Sequence, residues 1–171
     1  MLLSSFFSCS RSKKEVTDAV TDRANFAVLH ADSVTTLISD SGVVRYRIKT
    51  AQWDVYDKAT PRHWEFPKGV YLEKFSESLN VQASLVADYA YYNEEAQIWR
   101  LRGNVHSLNR EGERFDTQEL YWNQNTERVY SDSTICITRE TSVIQGVGFE
   151  SNQEMTKYTI LNPTGVFPLK D

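Results

Sequence analysis

Residues 42 to 57, GVVRYRIKTAQWDVYD, constrain this chain more than any other stretch. Val44, Tyr46, Ile48 and Thr50 alternate with Arg45, Arg47 and Lys49. Successive side chains of an extended strand point to opposite sides, whereas a helix would scatter this pattern around its axis. The stretch therefore reads as a half-buried strand, with Tyr46, Ile48 and Thr50 inward and the three cations in water. The turn residues SDSG precede it, and SVTTLIS before them supplies the second arm of a hairpin.

The same texture continues to the end of the chain. GVYLEKF (69 to 75) reads as one strand and LNVQASLVADYAYYN (79 to 93) as a long one or two. QIWRLRG (97 to 103), NVHSLN (104 to 109), RFDTQELYWN (114 to 123), ERVYSDS (127 to 133) and TICITRE (134 to 140) follow. SVIQGVGFES (142 to 151) and KYTILNPTGVF (157 to 167) close the series. NEE, NREGE, NQNT and SNQE supply turns. No long segment with helical period intervenes, so the fold class is all-β, built of antiparallel meanders. An internal repeat at an offset of 30 agrees with this. Tyr91, Tyr92 and Asn93 recur as Tyr121, Trp122 and Asn123, and Val105 falls on Ile135. A weaker copy starts at Ala51. Within LRGNV, Gly103-Asn104 lies where one strand of the repeat passes to the next. Glycine there permits a positive φ or a bulge, with Leu101 and Val105 flanking the corner.

The N-terminus has a different character. MLLSSFFSCS is apolar and ends in Cys9, and the polar RSKKEVTDAVTDRAN follows at once. The apolar run is too short to span a bilayer as a helix. It reads as the end of a lipoprotein signal with Cys9 as lipid anchor, although no Lys or Arg precedes it as such signals require. The other reading is a frayed terminus with an incidental cysteine. Residues 1–25 are thus expected to be an anchor remnant and flexible polar tether, and residues 26–171 a single β domain. RSKK, just after the anchor, suits either anionic headgroups or a solvated tether.

Composition removes several classes of function. A net charge of −4 offers no basic face for nucleic acid. The second cysteine, Cys136, alternates with Ile135 and Ile137 as a small strand residue does. His30, His63 and His106 stand apart without metal-ligand spacing. Glu94-Glu95 sit in a turn, where adjacent carboxylates diverge. No nucleophile elbow, P-loop or dinucleotide fingerprint occurs. Neither an enzyme, a metal nor a cofactor is expected.

Five segments in order, GVVRYRIKTAQWDVYD, WEFPKGVYLEKF, ASLVADYAYYNEEAQIWRLRGNVHS, FDTQELYWNQNTERVYSDSTICIT and GVGFES, resemble the LptC family. That family is the periplasmic, membrane-anchored component of the lipopolysaccharide export (Lpt) machine. Gly42, Ala51, Pro67, Ala87, Leu101, Gly103, Val105, Thr117, Leu120, Ser131, Gly146, Gly148 and Phe149 fill the places of its pattern. The similarity covers roughly residues 30 to 151. The departure is at the N-terminus, where the family commonly carries a transmembrane helix. The resemblance implies an open, curved antiparallel β-jellyroll of the OstA/LptA-like kind. It implies a periplasmic carrier at the inner membrane that accepts lipopolysaccharide from an inner-membrane ABC transporter. The lipid would then pass to a periplasmic LptA-like jellyroll through edge-strand pairing.

Strand parity nominates the residues that would face lipid A acyl chains: Tyr46, Ile48, Val81, Ala83, Leu85, Trp99, Leu101, Val105, Leu120, Trp122, Ile135, Ile137 and Phe149. Period two alone does not separate a lipid trough from an ordinary packed core, and a one-residue slip reverses every assignment. A rival function also stands at this point: an envelope β-sandwich lipoprotein that binds glycan or protein, with Trp53, Trp64, Trp99 and Trp122 exposed for stacking on sugars.

Overall fold

Residues 23–168 are described by a computed structural model. After a short 3-10 turn at Arg23–Asn25, the described chain is built from strands alone. These are β1 (Leu29–Asp40), β2 (Val43–Tyr56), β3 (His63–Phe66), β4 (Val70–Phe75), β5 (Val81–Ala87), β6 (Tyr89–Asn93), β7 (Ile98–Asn109), β8 (Arg114–Asn123), β9 (Arg128–Thr138), β10 (Ser142–Asn152) and β11 (Tyr158–Pro168). All eleven join one sheet. β2 pairs with β1 along its length on one side and with β4 and then β3 on the other. β4 continues to β5 and β3 to β6, and both branches rejoin on β7. From there β8, β9, β10 and β11 follow as a meander. Every pairing is antiparallel, so each strand can present one face to a shared core. The expected all-β, jellyroll-like architecture is what the chain adopts. The expected anchor Cys9 and most of the expected tether lie outside the described residues.

Several strand boundaries differ from the expectation, for one physical reason. Residues 97–103 and 104–109 form a single strand, β7, and residues 127–140 supply a single β9. Gly103 (φ 73°) and Asn104 (φ 44°) make a bulge inside β7 and not a turn. Two residues of β7 there face one of β8, which bends the strand and lets it continue. Residues 79–93 are two strands, broken at Asp88. The short β3 has too few residues to show a period.

The irregularities line up across the sheet. Ser33 in β1 (φ 53°), the β3–β4 turn at Gly69, Asp88, the Gly103–Asn104 bulge, Ser131–Ser133 in β9 and Gly148 in β10 follow one another strand by strand. Small polar side chains satisfy the backbone groups freed along this crease. Thr50 Oγ1 donates to the Gly69 carbonyl at 2.7 Å, and Thr117 Oγ1 to the Thr134 carbonyl at 2.9 Å. Ser131 Oγ donates to the Glu119 carbonyl at 2.6 Å. The Asp88 carboxylate ties the bulge down from the side by accepting from Asn104 Nδ2 at 2.7 Å. Unpaired buried carbonyls would otherwise make the bend costly. Side chains from opposite sides of the crease meet as a result. Tyr46 of β2 packs edge-on against Trp122 of β8 (5.2 Å between centroids), and Phe115 of β8 against Phe149 of β10 (5.6 Å).

Four of the five hairpin turns between β6 and β11, all but the short β9–β10 turn, share one device. Asn93, Asn109, Asn123 and Asn152 each end a strand and accept backbone N–H groups of the following turn on Oδ1. A residue with positive φ follows in each: Gln97, Gly112, Glu127 and Met155. The first and third of these turns are thirty residues apart and belong to the two copies of the repeat.

Candidate functional site

The inner face of the folded sheet forms a furrow with a packed floor and a lined gap above it. Leu101, Val105, Ile135, Ile137 and Phe149 make the floor with Phe66 and Phe115, all of them fully buried. Each large apolar side chain buried this way contributes about 1.5–3 kcal/mol. Above the floor, Tyr46, Ile48, Ala83, Leu85, Trp99, Leu120 and Trp122 line a cavity of about 60 Å³. Of the thirteen nominated residues, twelve are therefore gathered on one face, five as floor and seven as lining. Val81 departs: it is 43% exposed and does not reach the cavity. A register shift between Lys74 and Phe75 pairs Val81 with Phe75 while Ala83 pairs with Lys74. Parity counted through that irregularity puts Val81 on the wrong side.

Sequence reasoning missed other lining residues. Ile38 in β1, Leu72 in β4 and Val129 in β9 also border the gap, and extending the parity of β2 through the pairings would have found them. Gln124, Gln153 and Met155 border it from turns, where period two carries no signal. The lining is mostly apolar, with polar groups at its margins. Tyr46 Oη donates weakly to Gln153 at 3.5 Å, and Tyr92 Oη to Gln124 at 3.0 Å. Burial pushes both phenols up, which keeps them neutral donors.

Four tryptophans contribute to this interior. Trp99 is 2% exposed and stacks between Phe66, Tyr92 and Trp122 at 4.8 to 6.3 Å. Trp53, Trp64 and Trp122 pack against the same core. The exposed platform required by the sugar-stacking alternative is therefore missing: all four rings pack on the core, Trp53 because the parity of β2 changes at the crease beyond Thr50. Trp64 Nε1 donates to Glu94, so this turn carboxylate is a partner of the core. Among the described residues, Trp53, Trp99 and Trp122 have buried indole N–H groups without an acceptor.

The histidines stand far apart in role. His30 contacts Asp54 at 2.5 Å, His106 contacts Asp116 at 2.5 Å, and His63 Nδ1 lies 2.9 Å from the Pro61 carbonyl. Among the described residues there is no group of three or more His, Cys, Asp or Glu able to hold a metal, and no helix long and apolar enough to cross a membrane.

What this arrangement offers chemically is shielding: an aromatic and aliphatic face, folded toward itself, with polar groups only at its rim. A comparison with curated proteins finds no match. A family model described as "Lipopolysaccharide-assembly, LptC-related" matches residues 1–165. Together with the folded antiparallel sheet, this match places the chain in the LptC-related family, whose work belongs to lipopolysaccharide transport.

Proposed function

We propose that the chain is a carrier that holds lipopolysaccharide by its acyl chains between the two sides of the crease. The observation that carries this reading is the convergence of Tyr46, Ile48, Ala83, Leu85, Trp99, Leu120 and Trp122 on one apolar gap in a sheet of this family. Each methylene moved from water into such a setting contributes about 0.8 kcal/mol, so several chains bind firmly without a catalytic group. A gap of about 60 Å³ is too small for several acyl chains. Acyl chains therefore enter by parting the lining side chains while the floor stays packed. In this reading residues 26–171 act as one jellyroll, held by residues 1–25 and Cys9 at the periplasmic side of the inner membrane. An ABC transporter of the Lpt system delivers the lipid, and a periplasmic LptA-like jellyroll receives it by pairing with an edge strand. The free edges are β1 and β11, each paired on one side only among the described residues.

The test is photo-crosslinking of the full chain to lipid A. A photoreactive residue replacing Leu120 or Tyr46 is expected to label lipid A, while replacement of Lys49 or Val81, on the other face, is not. Equal labelling from both faces, or none from Leu120 and Tyr46, overturns the carrier reading.

A further inference from the structure

The β10–β11 turn, residues 153–157, departs from its three counterparts in one respect. All four turns begin at an asparagine and contain a residue at positive φ. Gln97, Gly112 and Glu127 hold that place exposed to water, whereas Met155 is 2% exposed and borders the interior gap. A large apolar side chain is thus driven inward from a turn whose sequence, SNQEMTK, is otherwise polar.

The contacts that keep it there cross the furrow. Ser107 Oγ in β7 lies 3.0 Å from both Met155 Sδ and the Ser84 carbonyl, between which its one proton is shared, and Asn109 Nδ2 donates to the Met155 carbonyl at 2.9 Å. Lys74 of β4 forms an ion pair with Glu154, and Tyr46 of β2 reaches Gln153. Each of these links uses at least one side chain. The turn's backbone bonds, Asn152 N to the Lys157 carbonyl and Met155 N to the Asn152 carbonyl, stay within it. The turn can therefore leave the opposite strands without breaking a sheet ladder. Methionine suits such a role, because an unbranched thioether fills an irregular gap and repacks readily.

We propose that the β10–β11 turn is a strap across the furrow and that Met155 is its stopper, occupying the place an acyl chain takes when lipid is loaded. The inference rests on the carrier reading and adds the step by which the furrow opens. Entry of lipid displaces Met155, releases Ser107 and Asn109, and parts Lys74 from Glu154. Because the strap runs directly into β11, a strand added at that edge acts on the same turn.

The experiment uses the full chain with Cys9→Ser and Cys136→Ser, carrying Ser107→Cys and Met155→Cys. A cysteine Sγ stops one bond short of the Met155 Sδ that meets Ser107 Oγ at 3.0 Å, so oxidation of the pair is first checked by thiol titration. Binding of a fluorescent lipid A probe is measured with the pair oxidised and again after reduction, with circular dichroism to show that both forms are folded. The oxidised form is expected to bind at least ~10-fold more weakly, which corresponds to about 1.4 kcal/mol, and reduction restores binding. Met155→Ala alone is expected to take up the probe several-fold faster than wild type. Equal binding by the folded oxidised and reduced forms overturns the strap and leaves the carrier standing. If the cysteine pair does not fold or oxidise, uptake by Met155→Ala no faster than wild type overturns the strap instead. No binding by wild type, the reduced form or Met155→Ala overturns the carrier reading, and the strap with it.

Discussion

Gly103 and Ser131 show how single residues make the crease possible. At φ 73° Gly103 occupies a region that costs an L-residue about 1–2 kcal/mol. A Cβ at Gly103 would also stand 2.9 Å from Asp88 Oδ2, the atom that accepts from Asn104. Gly103→Ala should therefore lower stability by at least that amount in urea unfolding; an unchanged midpoint would show that the bulge relaxes freely. Ser131 is buried, donates to the Glu119 carbonyl and accepts from Ser133 N at 3.1 Å. Ser131→Ala leaves that carbonyl unpaired and should cost about 1–3 kcal/mol. A loss below a few tenths would mean that another donor takes over. Both residues belong to the family pattern read from the chain, and that pattern is largely a record of the crease. Gly103, Thr117, Ser131 and Gly148 all stand on the crease, where a bent ladder needs a residue without Cβ or a short hydroxyl. Met155 belongs to no such pattern, and nothing in SNQEMTK announces which of its residues turns inward.

At the scale of the strand, legibility followed regularity. β2 alternates without interruption through Thr50, and its inward residues were readable from the sequence. β5 begins beside a register shift, and Val81 was misassigned there. The division between floor and lining was not readable at all, because Leu101 and Leu120 have the same period and differ only in what faces them. Two strand-level outcomes can be measured. A Cβ at Gly146 would lie 2.3 Å from Ile160 Cγ2 and 2.7 Å from the Asn162 carbonyl, so Gly146→Ala forces β11 away from β10. Amide exchange should quicken at Ile160 and Asn162 and stay slow in β8, whereas protection kept throughout β11 would contradict this. At the other edge, His30 of β1 is raised above the ordinary imidazole range, chiefly by its hydrogen bond to Asp54 of β2, against some desolvation; Asp32 adds to the rise. A raised folded value means that this contact supports the β1–β2 pair fully below the ordinary imidazole range and loses its contribution as pH climbs through the raised value. Asp54→Asn should bring the NMR titration midpoint of His30 down; an unmoved midpoint would assign the shift elsewhere.

For the molecule as a whole, the continuity of core and sheet has a thermodynamic consequence. One cluster runs from Ile48 in β2 through Trp99 and Leu120 to Phe149 in β10, with Ile160 of β11 packed on it. A core shared by both sides of the crease should unfold in a single cooperative transition, with tryptophan fluorescence and far-ultraviolet circular dichroism superimposing in urea. Two separated transitions would show that the sides are energetically independent. The margins of the sheet have a different consequence. β1 and β11 are unlike strands at opposite limits of one ladder, and Leu161, Val166 and Phe167 stay exposed along β11. Were such units to pair through these borders, unlike edges would meet head to tail, in a ring where the rotation closes and in an open row where it does not. The count of units in a row is then decided by whatever caps the row, as the wall decides where a course of tiles must stop.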